Sequence, residues 1–333
     1  MAWEHNPTVT APAEVQQRLA NYVNISESAE HREYRRKVAN ALSPYAPSVA
    51  NKVRWCGRNH RLYYDSRTDS LKVKQRFHCH QPLLCPTCHR TRHEQRFPRL
   101  RDQASSLLQA EPELLFYHAT FTCRPRDSIS DSFDQLSRSL DQFTTKNTRH
   151  QRGYIQAWIG DILGGLVSIE ITPGEDWHVH AHAILVSRTP LKQRELRKVW
   201  KEFTGDSDNV KIRPFDSYEN IKHRKPENMR RHLLRDFTDV FAYIHKFPDL
   251  PPEQCVELYR ALSHNGAQRR RHMTRVFGVF RGIEKAKPSP QREQHPQAIE
   301  LRATRDPTGQ WRMPYRDKAK LKKRMAQRRH TGA

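Results

Sequence analysis

The stretch "DWHVHAHAILV", residues 176–186, constrains the fold more than any other part of the chain. His178, His180 and His182 alternate with Val179, Ala181 and Ala183 and run into an apolar segment. That is the period-2 pattern of a β-strand, so all three imidazoles share one face. The i, i+2 spacing sets them roughly 6–7 Å apart at Cα, close enough to share one ion. The competing reading is a half-exposed strand whose histidines face solvent or stack on aromatic rings.

The preceding segment "GGLVSIEIT" (164–172) reads as a partner strand, joined to the histidine strand by a turn containing Pro173 and Gly174. Glu170 lies between Ile169 and Ile171, an unusual place for an acid unless its carboxylate is needed on that face. Two histidines and one glutamate make a mixed nitrogen and oxygen site suited to Mn²⁺, Mg²⁺ or Zn²⁺, with positions left for substrate oxygens.

Further along, "HLLRDFTDVFAYIHKF" (232–247) carries Phe237, Val240, Phe241 and Ile244 at helical spacing on one face. Tyr243, Asp239 and Lys246 fall together on the opposite face. A phenol is mostly protonated at pH 7, with a pKa of about 10. A nearby base, or a cation that stabilises developing phenolate, makes it a nucleophile. The bland alternative is an ordinary surface tyrosine with polar neighbours.

Four of the six cysteines crowd between Cys56 and Cys88, with Cys85-Pro-Thr-Cys88 forming a knuckle. Such clustering points to tetrahedral Zn²⁺ held by Cys56, Cys79, Cys85 and Cys88 rather than to disulfides or a redox pair. His60, His78, His80 and His89 are possible substitutes by spacing. Cys123 and Cys255 read as core residues.

A net charge of +23 with Lys and Arg spread along the 333 residues favours a polyanionic partner, most commonly nucleic acid. An anionic membrane surface is the rival. No apolar run approaches a transmembrane span and no signal-peptide h-region follows the first residues, so a cytoplasmic protein without membrane association is expected. Basic and aromatic stretches such as "RNHRLYY" and "HRKPENMRRHLLR" suit phosphate tracking, and Tyr63, Tyr64, Phe77 or Trp177 suit base stacking.

The organisation expected is a helical N-terminal region (1–50), a zinc-binding segment (51–97), an α+β domain on an antiparallel sheet (98–285) and a basic, disordered tail (286–333). A helix beginning near Thr189 is predicted to stop at Gly205.

Taken together, "HVHAHAILV", "YIHK", "FYHATFT" and "LVSIEIT" resemble the motifs of the HUH endonucleases, specifically plasmid rolling-circle replication initiators with a single tyrosine. The resemblance covers roughly residues 115–285. It implies a five-stranded antiparallel sheet with central histidines and a tyrosine helix laid across them. It also implies an endonuclease that nicks and rejoins one DNA strand through a 5′-phosphotyrosine at Tyr243, with Lys246 assisting. The catalytic divalent ion, Mn²⁺ or Mg²⁺, would be held by His180 and His182 with Glu170, and His178 would be an alternate ligand. Some such initiators carry a glutamate four residues before the tyrosine that activates water for termination; Asp239 stands there in this chain. Partners implied are single-stranded or hairpin origin DNA and host helicase and polymerase. Related initiators carry a "C…CPxC" segment ahead of the nuclease domain, usually one residue shorter, which leaves Cys79 and His80 as competing zinc ligands. A transposase with the same chemistry and a non-catalytic, zinc-containing nucleic-acid-binding protein are the alternatives.

Overall fold

The computed structural model describes residues 8–20, 29–146, 162–172, 177–215, 226–248, 250–263, 273–281, 298–306 and 310–331. The chain divides into two compact units, Met1–Thr91 with Lys287–Ala333, and Arg92–Ala286. Each carries one five-stranded antiparallel sheet, so the fold is α+β with two sheets where one was expected.

The first unit is built on β1 (Thr8–Thr10), β2 (Asn59–Asp65), β3 (Ser70–Arg76), β9 (Ile299–Arg305) and β10 (Trp311–Pro314). Their order across the sheet is β1-β10-β9-β2-β3. Alternation turns His60, Leu62 and Tyr64 inward, and Leu62 pairs with Leu301 while His60 pairs with Ala303. Helix α1 (Ala13–Ala20) contributes Val15 to this core, together with Trp311 and Met313. Helices α2 (Ala29–Leu42) and α3 (Pro47–Arg54) complete the N-terminal part.

Two expectations are corrected here. Residues 51–97 do not form a separate segment, because β2 and β3 are completed by strands from the far end of the chain. Where a disordered tail was expected at 286–333, the described residues hold β9, β10 and helix α9 (Tyr315–Thr331), seated by buried Leu321. The Lys and Arg density there conceals a short alternation, Ile299, Leu301 and Ala303, whose partner strand lies over 200 residues earlier.

The second unit orders its strands β7-β4-β6-β5-β8. These are β4 (Leu115–Thr122), β5 (Ile162–Thr172), β6 (His178–Ser187), β7 (Val210–Pro214) and β8 (Thr274–Gly278). The histidine strand β6 is central, between β4 and β5. The turn expected at 173–176 lies outside the described residues.

One face of this sheet is covered by α5 (Ile129–Lys146) and α6 (Gln193–Thr204), with the Phe121 ring 5.2 Å from Phe143 and 4.9 Å from Trp200. Helix α6 starts at Gln193 rather than near Thr189, and ends as expected at Gly205, whose left-handed φ of 78° suits a residue without Cβ. The opposite face is apolar at one end, where Phe116, Leu166, Ile184 and Val186 are buried. Over that end pack Leu100, Ala104 and Leu108 of α4 (Pro86–Ala110) and Leu233, Phe237, Phe241 and Ile244 of α7 (Pro226–Ile244). Helix α8 (Pro252–Leu262) buries Cys255, and Cys123 is buried as well.

Candidate metal centre and tyrosine

The other end of that same sheet face is polar. In the register of β5 and β6, Glu170 stands directly opposite His180, and Ser168 opposite His182. Residues opposite and diagonal to one another on one face lie within side-chain reach, so a single carboxylate can meet two imidazoles. Glu170 Oε2 lies 3.1 Å from His180 Nε2 and 2.9 Å from His182 Nε2. Hydrogen bonds from His180 and then His182 hold the Glu170 carboxyl well below the usual carboxylate range. One ligand atom from each residue lies within 4.8 Å of the others, so the trio can hold a metal ion. His178, opposite Thr172 at the strand's exposed end, is not part of the group.

A fourth side chain completes the arrangement, and sequence reasoning passed over it. His118 of β4 places Nε2 3.2 Å from His182 Nδ1, and Thr120 Oγ1 lies 3.3 Å from the same nitrogen. Burial pushes the His118 imidazolium down to about 4, so the ring is neutral at pH 7. The signal was the alternation of "FYHATFT", which puts His118 and Thr120 on the face shared with His182. The same register places Lys211 opposite Thr120 and Arg213 opposite His118, which brings two exposed cations onto this face.

Tyr243 sits in the last turn of α7, 58% exposed. Its ring centroid is 5.2 Å from that of His182 and 5.7 Å from that of His118, both contacts edge-on. Helix α7 buries its apolar residues over the greasy end of the sheet, and Tyr243 therefore reaches the boundary where imidazoles replace aliphatic side chains. Lys246 lies just beyond the helix, its N–H donating to the Tyr243 carbonyl at 3.2 Å. The side chains of Asp239 and Lys246 are exposed, and among the described residues neither is hydrogen-bonded to Glu170, His180 or His182.

The four cysteines converge in the first unit. Gly57 adopts a left-handed φ of 72° and donates to the Phe77 carbonyl, which draws Cys56 towards Cys79. Cys88 lies in the first turn of α4. Sγ of Cys88 is 3.4 Å from Cys56 Sγ and from Cys79 Sγ, and all four sulfurs lie within 4.8 Å of one another. Disulfides are excluded by distance, since bonded sulfurs sit about 2.05 Å apart. Metal–sulfur bonds of about 2.3 Å in a tetrahedron set sulfur–sulfur edges of about 3.8 Å, which the observed range brackets. This buried cluster can therefore hold a metal ion. Hydrogen bonds from Cys56, Cys79 and Cys85 hold the Cys88 thiol far below its usual range.

Geometry also separates the competing ligands. Cys79 belongs to the cluster, whereas His80 is exposed with a φ of 58°. His60 is engaged by the Arg58 carbonyl at 2.8 Å and the Trp311 ring. Of the candidate stacking residues, Tyr64 is buried and bonds Asp69, while Tyr63 points to the other side of the sheet. The Arg61 guanidinium already lies over the Phe77 ring at 5.3 Å, and Trp177 Nε1 donates to Glu257 at 2.7 Å.

No protein family, curated protein or solved structure matches this chain. No helix among the described residues is long and apolar enough to cross a membrane.

Proposed function

We propose that the second unit is an HUH-type nuclease domain that nicks and rejoins one DNA strand through Tyr243, as a plasmid rolling-circle initiator does. The observation that carries this reading is the contact of the Tyr243 ring with His182, the imidazole that also meets Glu170 and stands beside His180. A phenol beside a three-ligand site on a cation-flanked sheet end is suited to attack on a phosphodiester.

In the reaction, Tyr243 Oη forms a bond to phosphorus while the bond from phosphorus to the 3′-oxygen breaks. The phenolic proton is lost, and the 3′-oxygen leaves as a hydroxyl after taking up a proton. Exchange of one phosphoester for another conserves the bond energy, so the reverse reaction rejoins the strand without ATP. Glu170, His180 and His182 would hold Mn²⁺ or Mg²⁺, which when bound supplies Lewis-acid charge at the non-bridging oxygens. Lys211 and Arg213 would orient the phosphate by charge. Lys246, just past the helix end, would stabilise phenolate, and Asp239, one turn before Tyr243, would activate water in the terminating cleavage. Zn²⁺ in the cysteine cluster would be structural. Origin DNA, single-stranded or as a hairpin, is the partner, with helicase and polymerase acting on the freed 3′ end.

Incubation with Mn²⁺ and single-stranded origin oligonucleotides tests this. A 3′-label should comigrate with the protein in denaturing gels, a 5′-label should remain on a free fragment, and Tyr243→Phe should abolish both products. Binding without cleavage would favour a zinc-containing nucleic-acid-binding protein.

A further inference from the structure

We propose that His118 is a positioning residue: with a metal ion in the trio, its Nε2 would accept a hydrogen bond from the Nδ1–H of His182 and so leave the His182 Nε2 lone pair for the ion, in place of the hydrogen bond that Nε2 otherwise donates to Glu170. This rests on the reading of that trio as a metal centre.

A neutral imidazole carries one proton on two nitrogens. Ligation through Nε2 obliges the proton to sit on Nδ1, where it needs an acceptor, because His182 is only 4% exposed. Both ends of the ring are accounted for in the structure: Nε2 faces Glu170 at 2.9 Å, and Nδ1 faces His118 Nε2 at 3.2 Å. The Thr120 hydroxyl, 3.3 Å from the same nitrogen, shares the acceptor position. His118 Nε2 is turned towards Nδ1 of His182, and His118 lies outside the converging ligand set. Metal-bound histidines depend on such a partner at the second nitrogen for tautomer and ring orientation.

His118 also touches the tyrosine. Its ring meets Tyr243 edge-on at 5.7 Å, and the His182 ring at 5.3 Å. One side chain on β4 thus braces the imidazole and the phenol together. A phenylalanine at 118 would keep the aromatic contact with Tyr243 and remove the acceptor, which separates the two roles.

The test is Mn²⁺ titration of the zinc-loaded full chain, followed by electron paramagnetic resonance in the absence of DNA. His118→Phe should weaken Mn²⁺ binding about 10–100-fold. His118→Gln, whose amide oxygen can accept, should recover part of that loss, and it decides the matter should the phenylalanine variant fail to fold. Mn²⁺ affinity within about twofold of wild type in the folded variants would overturn the positioning role. If Mn²⁺ binding weakens as expected but no protein forms a DNA adduct, the positioning role stands and the nicking reading fails. If adducts form normally and Mn²⁺ affinity is unchanged in His118→Phe, the positioning role alone is rejected.

Discussion

Glu170 and His180 face each other directly across the β5–β6 pair, with Glu170 Oε2 3.1 Å from His180 Nε2. The acid sits where a half-buried strand would normally place an aliphatic residue, so its charge is used rather than tolerated. Glu170→Gln keeps the shape and removes the anion. Mn²⁺ affinity should fall at least by the roughly 10–100-fold typical of losing an outer-shell partner. DNA adduct formation should fall with it, and the thermal melting midpoint should change little. Calorimetric Mn²⁺ titration alongside a melting curve checks both halves of this expectation.

The cysteine cluster should behave as a folding element of the first unit. Four buried thiols within 4.8 Å of one another need a cation if they are to ionise together. Strong chelation, or Cys88→Ser, should therefore lower the melting midpoint by about 10 °C or more, as losing several kcal/mol would. Zinc content by mass spectrometry should be one ion per chain in wild type and none in the variant. Full stability with no bound zinc would contradict the role.

Asp69 ties three parts of the first unit together. Its carboxylate meets Arg18 of α1 at 2.6 Å, Arg328 of α9 at 2.9 Å and the Tyr64 hydroxyl at 3.0 Å. The hydrogen bond from Arg18 brings its pKa down to about 2. The unfolded carboxyl titrates near 3.9, so the native state favours the ionised form. The contribution is then present above about pH 4 and is lost as pH falls through about 2. Asn is tolerated at the left-handed φ of 50° found here, so Asp69→Asn isolates the charge. It should cost about 1 kcal/mol at pH 7, allowing for solvent screening, and much less at pH 2, where the native carboxyl is already half protonated. Urea unfolding at both pH values reads the difference.

Gly278 holds the edge of the second sheet. It pairs with Gly164 at a φ of 56°, and a Cβ there would run into the Leu163 carbonyl oxygen. Gly278→Ala should destabilise the second unit by about 2 kcal/mol or more, through both strain and steric overlap. Thermal unfolding should show a drop of at least about 4 °C.

What the sequence disclosed follows from how local each signal is. The alternation around His180 and His182, and Glu170 between two isoleucines, are period-2 patterns readable within ten residues. The helix bearing Tyr243 was equally legible, because Phe237, Phe241 and Ile244 repeat at helical spacing and are the residues it buries. His118 was not, because a single histidine in a strand has no meaning until register sets it beside His182. The strands at 299–305 and 311–314 were hidden for a related reason: their pairing with residues near 8–10 and 59–64 spans most of the chain. Cys79 and His80 are neighbours in sequence, and only the backbone turn at His80 separates the buried sulfur from the exposed ring.

The most direct measurement is tryptic mass spectrometry of the protein after reaction with Mn²⁺ and a single-stranded origin oligonucleotide. The expected result is a nucleotide 5′-phosphate covalently attached to the peptide spanning residues 236–246, at Tyr243, and absent from Tyr243→Phe. Cleavage of DNA with that peptide unmodified, or an adduct on another residue that survives in Tyr243→Phe, would contradict it.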